Sequence, residues 1–137
     1  MRQEKSRFIA SVAVSLIVAA LVVAPGAWAV STYKILHAFR RFSGGQGPWG
    51  NLVSDAAGNL YGTTVYGGAS NNCRYRCGTV FKVDTTGKAT VLHSFTGGPT
   101  DGASPYSRLI RDAAGNLYGT TSFGGAFDYG TVFKLSR

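Results

Sequence analysis

The protein has 137 residues, with 14 Lys and Arg against 6 Asp and Glu, for a formal net charge of +8. Gly is abundant, aromatic and β-branched residues recur, and good helix formers are sparse beyond residue 29, a composition that points to β structure and away from a helical domain. The basic residues fall in scattered pairs, Arg40-Arg41, Arg74/Arg76 and Arg108/Arg111, with no basic run, which argues against a nucleic-acid partner.

The chain opens with an export signal over residues 1–29, expected to be helical. Arg2, Lys5 and Arg7 form a basic start, residues 8–24 are apolar apart from Ser11 and Ser15, and Pro25-Gly26 breaks the run. Ala27-Trp28-Ala29 then offers small residues at the −3 and −1 positions, predicting cleavage between Ala29 and Val30. An uncleaved anchor is the alternative, since this run is near the lower limit for spanning about 30 Å of hydrocarbon. Contact with the membrane is expected only through this segment during export, and the destination is the cell surface or beyond. Removing Arg2, Lys5, Arg7 and Glu4 leaves 11 basic residues against 5 Asp, a net charge of +6 that favours anionic partners such as acidic polysaccharide.

Residues 33–39 alternate Tyr33, Ile35, His37 and Phe39 on one face and predict a strand. A Gly/Pro loop follows, then a short strand over residues 51–54. The decamer Asp55-Ala56-Ala57-Gly58-Asn59-Leu60-Tyr61-Gly62-Thr63-Thr64 predicts a turn at residues 55–59 and a returning strand. Asp55 can accept bonds from backbone N–H groups two residues on, and Gly58 and Asn59 tolerate positive φ. Beyond a variable loop, residues 78–84 form another strand pattern, and Asp84-Thr85-Thr86-Gly87 repeats the Asp-x-x-Gly turn spacing.

The pattern then starts again. Residues 89–95 match 33–39, with His93 on His37 and Phe95 on Phe39, and the decamer recurs letter for letter from Asp112 to Thr121. The chain therefore reads as two copies of one unit, residues 33–87 and 89–137, differing mainly in a loop five residues shorter in the second. The expected fold class is all-β: two four-stranded antiparallel repeats, each like a propeller blade, after the signal helix.

Leu-His-Ser-Phe, Gly-Asn-Leu-Tyr-Gly-Thr-Thr, Gly-Gly and Gly-Thr-Val-Phe-Lys stand in this order from Leu92 to Lys134, and in slightly altered form from Leu36 to Lys82. In these motifs the chain resembles the GloVer tandem repeat of bacterial exported proteins. The resemblance implies a propeller-like array at or outside the cell surface and supplies no catalytic residues. Two blades do not close a propeller of four to eight, and two repeats leave end faces unburied. The expectation is therefore either assembly of several chains or a fragment of a longer array, with a compact two-repeat sandwich as a third arrangement.

Cys73 and Cys77 flank Arg74-Tyr75-Arg76, and export predicts that they form a disulfide closing a small ring at a loop tip. Their spacing lacks the further ligands of a zinc site and is not the Cys-x-x-Cys of a redox centre. His37 and His93, the only histidines, read as packed or surface residues, because a repeat puts equivalent positions on separate blades. Asp55, Asn59, Asp112 and Asn116 read as turn formers and not as calcium ligands. Tyr61, Tyr118, Tyr66 and Phe123 serve either a blade core or a sugar-stacking surface. No Gly-x-Ser-x-Gly elbow or phosphate loop is present, so no catalytic, metal or cofactor site is expected.

The function expected is that of an exported structural or binding module, with loops 43–50, 66–77, 96–105 and 123–129 as its recognition surface and an extracellular glycan, a protein or another copy of itself as partner. The alternative is a fragment or subunit of an extracellular carbohydrate-active or other propeller enzyme.

Overall fold

The computed structural model describes residues 31–41 and 44–137, and among these all regular structure is antiparallel β. The expected export segment and the expected Ala29/Val30 cleavage point lie outside the described residues. Tyr33–Arg137 forms one compact unit.

The first sheet is built as the turn chemistry dictates. β1 (Val53–Ser54) turns at residues 55–59 into β2 (Leu60–Thr64), which pairs with β3 (Thr79–Val83). The second Asp-x-x-Gly turn leads into β4 (Ala89–Ser94), giving the order β1-β2-β3-β4. Gly62 stands opposite Phe81 and leaves room for its ring, since a Cβ there would lie 2.7 Å from Phe81 Cζ.

β5 (Gly102–Ala103) and β8 (Phe123–Gly124) form a two-stranded ribbon. β6 (Ile110–Arg111), β7 (Leu117–Thr121) and β9 (Thr131–Leu135) make a sheet that copies β1, β2 and β3. Its register repeats the first, Gly119 opposite Phe133 answering Gly62 opposite Phe81.

The two repeats therefore do not hold four strands each. The opening strand of the second repeat, β4, completes the sheet of the first, and the second sheet stops at three strands. Residues 33–39, expected as a strand, take no regular structure. Their pattern equals that of β4, but β4 pairs with β3, whereas residues 33–39 pair with no strand among the described residues. A strand without a neighbour leaves its backbone to water. The ribbon of β5 and β8 falls in segments expected as loops, whose Gly-rich sequence carries no alternation; the first repeat has the same contact as a single bridge between Gln46 and Tyr66.

The core is the seam between the repeats. Val80 from β3, Phe95 after β4, Ala103, Leu109 and Leu117 from the second repeat, and Cys77 close around one another, with Val53, Tyr61, Phe133 and Leu135 packed against them. The buried Thr64 and Thr79 hydroxyls bond each other at 2.8 Å, and Thr121 and Thr131 do the same in the second sheet. Such pairs leave no side-chain hydroxyl unsatisfied beside apolar neighbours.

Candidate functional site

The sheets present two ends, one made of turns and one of loops. At the turn end the Asp55 carboxylate accepts bonds from the Ala57 and Asn59 backbone N–H groups, the Asn59 side chain and the Tyr61 hydroxyl, at 2.8–3.0 Å. Asp112 receives the same bonds from Asn116 and Tyr118. The Asn59 amide foremost holds the Asp55 carboxyl well below the usual range, and Asn116 lowers that of Asp112 to about 2, in both cases against a smaller opposing effect of burial. These groups stay ionised and saturated with local donors, the arrangement of a turn lock.

Between the two turns lies a cavity of about 450 Å³ whose lining includes Asp55, Tyr61, Lys82, Arg111 and Arg137. Burial first, and the Asp55 hydrogen bond second, raise the Tyr61 phenol above its ordinary value. The buried Arg111 Nε has no hydrogen-bond partner among the described residues.

At the loop end residues of loops 66–77, 96–105 and 123–129 line one groove. Cys73 and Cys77 are disulfide-bonded. The bridge is more than the tip of a loop: Cys77 is buried in the seam, a Cβ on Gly97 would meet both sulfurs, and the Cys77 carbonyl accepts the Ser104 N–H at 2.8 Å. The disulfide thus ties the long loop of the first repeat to the Gly/Pro loop of the second. Beside it runs an open groove of about 740 Å³ lined by Cys73, Pro99, Ser104, Phe123, Phe127 and Asp128, among others. Asp128 accepts the Gly124 N–H at 2.7 Å and so braces the groove wall.

Four aromatic rings, two of them two residues from the groove-lining Cys73 and Ser104, form a continuous patch. Trp49 stands 6.4 Å from Tyr66 and 5.4 Å from Tyr106, and Tyr66 stands 5.7 Å from Tyr75, measured between ring centroids. Trp49 is 65 % exposed, and Tyr75 and Tyr106 are exposed as well. Gly47, at φ 71°, lets Trp49 and Tyr66 close over the backbone, where a Cβ would sit 3.3 Å from Trp49 Nε1. The hydrogen bond with Tyr66 raises the Tyr106 phenol above its ordinary value, with burial adding to it. Arg74 lies over the Tyr75 ring at 5.2 Å, and Arg76 donates to the Gly68 carbonyl at 2.6 Å, fixing the loop that carries Tyr75.

The four aromatic positions singled out from sequence divide between the two ends. Tyr61 and Tyr118 belong to the turn locks, Tyr66 to the loop-end patch and Phe123 to the groove. Trp49, Tyr75 and Tyr106 were missed, although Pro48-Trp49 and Pro105-Tyr106 recur 57 residues apart after equivalent loops. His93 faces Asp101 at 3.2 Å and packs on Phe95; His37 packs on Phe39. Burial acts most on Asp101 and would raise its pKa, but the bonds from Thr96 and Gly102 prevail and hold it below the usual range. Among the described residues no group of three or more His, Cys, Asp or Glu could hold a metal ion.

A four-stranded and a three-stranded antiparallel sheet, related by a 57-residue sequence repeat, with the first strand of the second repeat completing the first sheet, define a tandem β-repeat protein. The family model of the Gloeobacter/Verrucomicrobia repeat matches residues 26–137, and the chain belongs to that family. Neither the curated proteins nor the solved structures give a match.

Proposed function

We propose that the protein is an exported binding module and that its ligand is an extracellular glycan, held against Trp49, Tyr66, Tyr75 and Tyr106. The observation that carries this reading is the patch itself: rings from both repeats, mostly exposed, braced by a disulfide and an Arg-carbonyl bond. Large aromatic groups at a surface offer much contact area at little cost in conformational freedom. The apolar C–H face of a sugar ring suits such a platform, and the neighbouring groove offers polar groups to its hydroxyls. The +6 balance of the chain without its leader supports an acidic polysaccharide over a neutral one.

Trp49 is the only tryptophan left once residues 1–29 are removed, so its fluorescence reports the patch directly. Affinity electrophoresis through gels containing acidic and neutral polysaccharides should retard the protein in at least one acidic gel, with a matching change in Trp49 emission. Trp49→Ala should weaken that binding about tenfold or more, as loss of an interface anchor does, while leaving the melting temperature near the parent's. Equal retardation of Trp49→Ala and parent would refute the assignment.

A further inference from the structure

We infer that the protein extends head to tail, with residues 33–39 of one copy adding as a fourth strand to the outer edge of β9 in another copy. The seam inside the chain is the template. There β4 lies on β3, and the chain then passes to the next sheet, where Phe95 meets Phe133 at 5.1 Å and 69° with His93 edge-on to Phe95 at 4.7 Å. At the other end of the molecule Phe39 meets Phe81 at 4.9 Å and 71°, with His37 edge-on to Phe39 at 4.9 Å. Phe39 therefore already occupies, against the first sheet, the place that Phe95 occupies against the second. Residues 33–38 stand where the outer strand of a preceding sheet would be.

The described residues contain no such preceding sheet, but they contain an edge that fits it. β9 repeats β3, Val-Phe-Lys on Val-Phe-Lys, and has only β7 beside it. The faces match in the same way. Val80 is 0 % exposed in the seam and its equivalent Val132 is 83 % exposed; Leu109 is 2 % exposed in the seam and its equivalent Leu52 is 53 % exposed. One end of the stack thus offers the face that the seam buries on one side, and the other end offers its complement. The strand and the edge match the β4–β3 pair in sequence and in the faces they offer, so we assign a second copy as the occupant of each. This is strand addition through a heterologous contact, which gives rings or open filaments.

Transferring the β3–β4 register sets Thr131 opposite Ala38, Val132 opposite His37, Phe133 opposite Ile35, Lys134 opposite Lys34 and Leu135 opposite Tyr33. One pair departs from the template. Lys82 faces Thr90 inside the chain, whereas Lys134 would face Lys34, and like charges directly opposite weaken a strand pair. Contact between copies is therefore weaker than the internal seam, and Lys34→Thr should tighten it a few-fold.

Lys34→Cys and Lys134→Cys, both at exposed positions, provide the test when made in the full chain and exported with its leader. Under mild oxidation, mixing the two variants should give a mixed disulfide-linked dimer well above either variant alone, and the double variant should give a ladder of linked copies. Lys34→Thr should raise, and Ile35→Pro abolish, the concentration-dependent rise in mass measured by light scattering. A dominant Lys134→Cys homodimer would show edge-to-edge pairing instead, and a double variant closed within one chain would show self-capping. Either result, or linkage no greater than that of an Ala56→Cys control, would overturn the proposal.

Discussion

At the residue scale the turn locks are the most constrained feature. Each carboxylate gathers backbone, amide and phenol donors within one turn, which explains why ten residues stand unchanged in both repeats: Asp as acceptor, Gly for the positive φ, Asn and Tyr as donors. Because the folded carboxyls titrate below their unfolded value of about 3.9, they stabilise the fold above that pH. That contribution is lost as pH falls through their folded values, about 2 for Asp112. Thermal melts should therefore show parent stability falling between about pH 4 and pH 2. Asp112→Asn should be less stable than the parent at pH 7 and converge toward it at pH 2. A constant difference across that range would show that ionisation plays no part in the lock.

At the element scale the strands are equivalent in sequence and unequal in environment. Leu109 is sealed in the seam and Leu52 lies at an open face, although both pack beside the same kind of glycine, Gly119 and Gly62. Leu109→Ala should cost about 2–5 kcal/mol, the range for a buried truncation, and Leu52→Ala about 1 kcal/mol or less. Denaturant melts of the two variants in dilute solution would check the contrast. Equal losses would mean that the two faces are buried alike.

The same inequality explains what the sequence disclosed and what it did not. Hairpins, turns and the locations of β2, β3, β7 and β9 were legible, because Asp-x-x-Gly turns and alternating residues act locally. The sheet to which β4 belongs was not, since a repeat read from its own first strand gives the same pattern whichever neighbour that strand joins. Residues 33–39 have the strand alternation but pair with no strand among the described residues, and only the three-dimensional arrangement reveals that. The disulfide was legible from two cysteines and the expectation of export; the burial of Cys77 was not, because it depends on Gly97 and Ala103 of the other repeat. The aromatic patch was half legible: Tyr66 was noted, while Trp49 and Tyr106 required seeing Pro-aromatic pairs as equivalent positions in the two repeats.

At the scale of the whole molecule, the described protein holds two repeat sheets with one seam between them. Its buried seam supplies the core, its end faces remain apolar, and its loop end carries an aromatic patch assembled from both repeats. Since Trp49 and Tyr106 occupy equivalent positions, head-to-tail addition would continue the aromatic row from copy to copy and join binding sites along one polymer. Linked sites of this kind gain avidity without new contacts.

Amide hydrogen exchange tests most directly the central claim, that the first strand of the second repeat completes the sheet of the first. In solution dilute enough for light scattering to give a monomer, the amides of Ala89–Ser94 that pair with β3 should exchange slowly, and those of residues 33–39 should exchange like an open chain. Equal protection of both segments in the monomer would contradict the account, because residues 33–39 would then have a strand partner within their own chain.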